Sequence, residues 1–288
     1  MKHIKTPVNL ISYLVYKANA IDNQKLLHQY TSTKAVLNIL TSQKWYIGSP
    51  EKMNDQNEFE NFKTTCSKIW NGIFFTCFME EQSENIAMWS EYAQPWEKGV
   101  RISFPASKIK EWEEGILTVL PANPLTKEPL KEESLPCHTF HHSRHMVAYT
   151  NEEDFLKGTV TAEKISVGKS ECKTMTQLYS KKELCGYIKN IAWSYEKELR
   201  LRISVPYNNK YPELKGILVP IPEYVLNSMI ITKGPKLSEN DPEWVEIKNK
   251  FSKILGHNIK ESIFEGKLQY MACDRCEYKK KNKLNSDY

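Results

Sequence analysis

The segment WSYEKELRLRI, residues 193–203, alternates aliphatic and charged side chains. Leu199, Leu201 and Ile203 take one parity, while Glu196, Glu198, Arg200 and Arg202 take the other. A period of two predicts a strand with all four charges on one face and the two carboxylates about 7 Å apart at their Cα atoms. The residues alone admit two readings. In one, the charges form a ladder at a wet surface, where ion pairs contribute little. In the other they line a cleft, with one carboxylate stabilising a sugar cation while the second orients an acceptor. Breaking a bond at an anomeric carbon passes through an oxocarbenium-like state that an adjacent negative charge favours. An arginine on the same strand would fix the glutamate or grip a phosphate.

Two further stretches carry side chains suited to such a cleft. In LLHQYTSTKAVLNIL, His28 and Tyr30 share a parity, and Thr31 and Ser32 place hydroxyls just before a helix N-terminus, where backbone N–H groups favour an anion. In FFTCF followed by SENIAMWSEYA, Thr76 lies on a strand, and Trp89 and Tyr92 lie on one side of a helix. Each has a plainer role open to it. A buried histidine bonds to neighbouring groups, and Tyr30, Trp89 and Tyr92 pack into a core with their polar tips satisfied.

The elements that would position these residues follow from periodicity. A helix is expected near residues 8–20, a strand at LLHQYT, a helix at TKAVLNILTSQ capped by Thr31 or Ser32, and a strand at WYIG. A helix over 58–70, the strand GIFFTCF, a helix capped by Ser83 and the strand KGVRISF come next. Residues 120–170 are the least legible, 174–192 read as helix, and the strands WSYEKELRLRI, KGILVP and NSMIITK follow. A helix near 241–255, the strand HNIKESIF and a basic tail complete the chain. Short strands mixed with helices, without regular βαβ alternation, predict an α+β fold. The expectation is a single α+β domain over 1–288, with a core at 25–235 and a helix–strand extension and basic tail at 236–288.

Composition narrows the class. The 288 residues are 40% hydrophobic and 26% charged with a net charge of +5, which excludes a disordered or fibrous chain and gives only a mild bias toward anionic ligands. No apolar run approaches the roughly 18 residues of a membrane span, so no membrane partner is expected. The stretch VNLISYLVYKANA reads as an amphipathic helix rather than a secretion signal, and a cytoplasmic location with seven reduced cysteines is the expectation. CHTFHHSRH, at 137–145, and the pair Cys273 and Cys276 are the raw material of a zinc site, but two half-motifs so far apart read better as a solvated polar loop and ordinary thiols. No metal is expected. KKKNK at 279–283 reads as a solvated tail that could meet phosphates.

The blocks HQYTSTKAVLNILTSQKWYIGSPEKMND, FFTCFMEEQSENIAMWSEYAQPWEKGVRISF and WSYEKELRLRI resemble the signature blocks of bacterial domain-of-unknown-function family 2971. More distantly, His-x-Tyr-Thr before a helix, and Tyr-Glu-Lys-Glu-Leu at a late strand, are similar to motifs of ADP-ribosyltransferase folds. That likeness implies an ADP-ribosyltransferase-like core, a mixed or antiparallel split sheet with flanking helices. It also implies NAD as substrate and a toxin or anti-phage type of activity that transfers ADP-ribose to an unknown protein or nucleic-acid acceptor, or to water. It makes Glu198 the catalytic glutamate, Glu196 the residue that orients the acceptor and His28 the group on the ribose. Tyr30, Thr76, Trp89 and Tyr92 would line the cofactor site; Thr31 and Ser32, as hydroxyls before a helix N-terminus, and Arg200, which the likeness does not explain, are the further expected cofactor contacts. Cys77 departs from the hydroxyl pattern of the second motif. The alternatives are a nucleic-acid-binding or nuclease-type defence protein using Arg200, Arg202 and the basic tail, or a non-catalytic interaction domain.

Overall fold

A computed structural model describes residues 7–53, 72–130, 134–151, 186–206, 214–255 and 258–267. The expected helix over 58–70, most of the one over 174–192, the Cys273 and Cys276 pair and the basic tail lie outside the described residues.

In chain order the helices are α1 (Pro7–Asn19), α2 (Thr33–Ser42), α3 (Ile86–Tyr92), α4 (Ala106–Glu114), α5 (Glu223–Leu226) and α6 (Pro242–Leu255). The strands are β1 (Leu26–Ser32), β2 (Lys44–Gly48), β3 (Ile73–Met79), β4 (Gly99–Pro105), β5 (Thr118–Pro121), β6 (Leu135–Pro136) and β7 (His141–Met146). They continue with β8 (Ala148–Thr150), β9 (Ile188–Asn190), β10 (Glu198–Ser204), β11 (Gly216–Pro220), β12 (Ile230–Lys233) and β13 (Ile259–Glu261). The fold is α+β. Its main sheet is mostly antiparallel and runs β13-β12-β4-β1-β3-β2-β11-β5-β6, with β10 on the second edge of β3 and β7 beyond it. β3 is the branch point. Its whole length pairs with β10, while on its other edge Met79 meets His28 of β1 and Phe75 meets Gly48 of β2. A small parallel pair, β8 with β9, stands apart from this sheet.

The sheet is amphipathic in an unusual sense, because both faces are buried. Leu27, Phe74, Phe78, Val100, Ile102, Phe104, Leu199, Leu201 and Ile203 form one face and are essentially inaccessible. Against them pack Val36, Ile39 and Leu40 of α2, Ile109 and Trp112 of α4 and Trp244 and Ile247 of α6. Local chemistry sets the limits of α2: the Ser32 hydroxyl accepts from the Ala35 N–H at 3.3 Å, and Gln43 ends the helix in the left-handed region at φ 52°. The opposite face carries His28, Tyr30, Cys77, Met79, Arg101, Ser103, Glu198 and Arg200, which the register brings side by side. Over it lie α3 and the β8–β9 pair; Tyr187, just before β9, packs against His145 and bonds to Ser143 on β7 and lies beneath Arg202 of β10.

Three expectations are corrected here. The helix at 174–192 gives way at its end to β9, Ile188–Asn190. CHTFHHSRH is not a solvated loop: Cys137–Thr139 is a single 3-10 turn, and His141–Met146 is a strand whose Arg144 and His145 are buried. α3 is capped by Asn85, whose side chain accepts from Ala87 N, rather than by Ser83. Among the described residues no helix is long and apolar enough to cross a membrane.

Candidate functional site

The strand that bears the four charges begins later than its period suggests. Residues 191–196 wind into a 3-10 turn, Lys197 adopts the left-handed conformation at φ 44°, and β10 starts at Glu198. Glu196 is therefore not on the strand, and the two carboxylates do not stand at the two-residue spacing of a ladder. The kink turns Glu196 inward instead, where it has no exposed surface. Glu198 and Arg200 are buried as well, which rules out the wet-surface ladder for these two.

Burying a carboxylate is costly unless charges and hydrogen bonds surround it. Arg200 Nη2 donates to Glu198 Oε2 at 2.6 Å, and its Nη1 donates to the Gly186 carbonyl at 2.9 Å. Gly186 sits at φ +81° with the Phe75 ring against it, so a Cβ there would lie 2.2 Å from the ring. The ammonium of Lys189, on β9, donates to Glu196 Oε2 and lies 3.7 Å from Glu198 Oε2. The Tyr92 hydroxyl donates to Glu196 Oε1. The Glu198 N–H donates to the Tyr149 hydroxyl at 2.9 Å, and the Cys77 thiol is directed at the Glu198 carboxylate. Two acids and two bases thus form one buried cluster in which the formal charges cancel.

Their environments push the two carboxyls in opposite directions. Burial raises Glu196 above the usual carboxylate range, reinforced by the negative charge of Glu198 and opposed by Lys189. Burial acts on Glu198 too, but the Arg200 guanidinium and the Lys189 ammonium overcome it and hold that carboxyl below its ordinary value. Burial and the Glu198 charge push the Cys77 thiol up, so it stays protonated and donates. The result is one permanent anion beside a more basic carboxylate, the pattern that divides electrostatic and proton-transfer duties.

His28 stands in line with Glu198. Met79 is the register partner of both, so the row His28, Met79, Glu198 crosses β1, β3 and β10 with all three side chains on one face. Two strand spacings put the outer Cα atoms about 10 Å apart. The His28 ring is buried and its Nδ1 lies 2.7 Å from Ser103 Oγ, while Nε2 has no partner among the described residues. Burial, with the Arg101 and Lys260 charges, lowers its pKa to about 3, so the imidazole is neutral.

The remaining sequence candidates divide. Tyr92 belongs to the cluster. Tyr30 and Trp89 meet edge to face at 4.8 Å, with the Tyr30 oxygen accepting from Asn85 N at 3.1 Å and the Trp89 N–H donating to Glu84 at 3.0 Å; both are packing residues bordering the site. Ser32 is spent as the α2 cap. Thr31 and Thr76 are corrected: they sit on the other face of the sheet. Thr76 pairs with Leu201, accepts from Trp45 Nε1 at 3.1 Å and is part of the main core layer. Sequence reasoning missed Lys189, Tyr149, Arg101 and Ser103. A lysine between Ile188 and Asn190 beside a tyrosine was the available sign of a charge brought indoors.

A family model described as Protein of unknown function (DUF2971) matches residues 88–201, from α3 to the middle of β10. That match supports the family suggested by the sequence blocks. It encloses Trp89, Tyr92, Tyr149, Lys189, Glu196, Glu198 and Arg200, which is most of the cluster, and leaves out His28. No curated protein matches the chain. Among the described residues no group of three or more histidine, cysteine or acidic side chains is arranged to hold a metal ion.

Proposed function

We propose that the protein cleaves the bond between nicotinamide and ribose in NAD, passing ADP-ribose to water or to a protein or nucleic-acid acceptor, as a toxin or anti-phage effector would. The observation that carries the reading is the row His28, Met79, Glu198, which unites the three sequence motifs on adjacent strands and one face. A separation of about 10 Å suits a ribose held between an imidazole and a carboxylate.

The chemistry follows from the two carboxyls. As the glycosidic C–N bond breaks, its electron pair leaves with nicotinamide, and positive charge develops on the ribose. Glu198, kept ionised by Arg200 and Lys189, stabilises that charge. His28 donates from Nε2 to a ribose oxygen. Glu196, the more basic of the pair, accepts the proton of the attacking hydroxyl, with Tyr92 and Lys189 fixing its orientation. Because Glu196 is fully buried and the Glu198 side chain is 6% exposed, substrate entry requires α3 and the turn at Ile191–Glu196 to part. Trp193, which stacks on Lys189 at 4.6 Å, and Tyr195 would then stand at the rim.

The cancelling charges favour a second reading, a structural ion-pair network without turnover. NAD labelled in the nicotinamide ring separates the two. The enzyme reading expects free nicotinamide, together with ADP-ribose that is either free or bound to an acceptor. Purified protein that releases none, with and without cell extract as acceptor, leaves the structural network.

A further inference from the structure

Beyond the carboxylate cluster the same face carries a second concentration of charge. Lys260, Thr232, Arg101 and Tyr30 form a straight row across β13, β12, β4 and β1. Arg101 is buried. Its Nη2 donates weakly to Thr232 Oγ1 at 3.4 Å, while Nε and Nη1 have no acceptor among the described residues. Its nearest acid is Glu84, at 4.0 Å. That carboxylate already accepts from Trp89 Nε1, Ser262 Oγ and the Ile263 N–H, and the Tyr30 ring lies 5.9 Å from the guanidinium carbon, which leaves Nε and Nη1 without a hydrogen-bond acceptor among the described residues. Two residues along the strand, Ser103 anchors His28, whose Nε2 is a third buried polar atom without a partner. Buried donors are nearly always paired, and a guanidinium has five N–H groups and no acceptor role to fall back on. Three such atoms on one face, with an exposed lysine beside them, are a set of donors that an oxyanion would satisfy.

We propose that Arg101 and Lys260 bind the pyrophosphate group of a dinucleotide, with His28 reaching the adjoining ribose. The identity of the ligand rests on the NAD reading above; the anion site itself does not. Arg101 lies on the far side of β1 from Glu198 and two residues along from its row, so a ligand spanning the two sites would run across β4, β1, β3 and β10, a distance of about 16 Å from three strand spacings and a two-residue offset. Arginine supplies the buried, always-charged contact and Lys260 supplies an exposed second charge that steers the anion.

The test is a 31P NMR titration of the full chain with inorganic pyrophosphate, orthophosphate and ADP-ribose. Wild type is expected to broaden the pyrophosphate and ADP-ribose resonances more strongly than orthophosphate. Arg101→Gln should weaken pyrophosphate binding by about tenfold, and Lys260→Ala by about threefold with a shallower salt dependence. Glu198→Gln should bind pyrophosphate as wild type does. If Arg101→Gln does not fold, the exposed Lys260→Ala decides, since it leaves the interior untouched. Absence of broadening in wild type, or equal binding by wild type and the folded variants, overturns the site. Pyrophosphate binding without nicotinamide release defeats the NAD chemistry and leaves the anion site standing; release without pyrophosphate binding defeats the anion site alone.

Discussion

Replacing the two buried histidines should change how the protein tolerates acid. His28 is held at a pKa of about 3 and His145 at about 4, against 6.5 for a free imidazole, in each case chiefly by burial. Arg101 and Lys260 add to the effect at His28 and Arg202 does so at His145. Both rings are therefore neutral in the fold, while the unfolded chain takes up a proton at each below its ordinary pKa. The stability they confer is complete above 6.5 and is lost as pH falls toward the folded values. Between about pH 7 and about pH 5 each ring costs about 2 kcal/mol, or about 4 kcal/mol together. Glu196 works in the opposite sense, because a raised carboxyl pKa gives back stability as pH falls, but it is common to all variants and cancels in a difference. Urea unfolding followed by tryptophan fluorescence at the two pH values measures the loss. His28→Gln and His145→Gln should each remove about half of it, and the double variant nearly all. A double variant that loses as much stability as wild type over this range would refute the reasoning.

Lys189→Met should destabilise the fold by about 3–5 kcal/mol, since it strands Glu196 without its cation; adding Glu196→Gln should recover part of the loss, and urea midpoints of the single and double variants check both. A loss below about 1 kcal/mol would assign Lys189 the energetics of an exposed pair. Gly186→Ala should cost about 1–3 kcal/mol from its positive φ alone and more from the Phe75 ring, displacing the carbonyl that anchors Arg200. Gly266→Ala, at φ +67° with nothing within 4 Å of the added carbon, is the control that carries the backbone strain only; equal effects in thermal unfolding would contradict the packing argument.

Much of the framework is legible because hydrophobic period and capping chemistry are local properties. LLHQYT, WYIG, GIFFTCF, KGVRISF, KGILVP and NSMIITK all fall on strands, and Ser32 caps α2 as its position suggests. The charged strand is legible only in part, because alternation continues smoothly through Lys197 while the backbone does not: a left-handed residue leaves no trace in a period-two pattern when it is a lysine. Nor does period show that both faces of a sheet are buried, so Glu198 and Arg200 read equally well as surface residues. Tyr149 comes from the least readable part of the chain and Lys189 from a stretch that reads as helix, and both enter the cluster through a short parallel pair whose strands lie far apart in sequence, a long-range arrangement that no local signal encodes. Thr31 and Thr76 lie away from the cluster for a simpler reason: a one-residue change in parity moves a side chain to the other face.

The central claim is that Glu198 acts on the developing charge of a ribose held opposite His28. Steady-state nicotinamide release by wild type and Glu198→Gln tests it most directly. The account predicts a fall in kcat of about 10²–10³-fold with KM nearly unchanged. Equal kcat values in two well-folded proteins would contradict it.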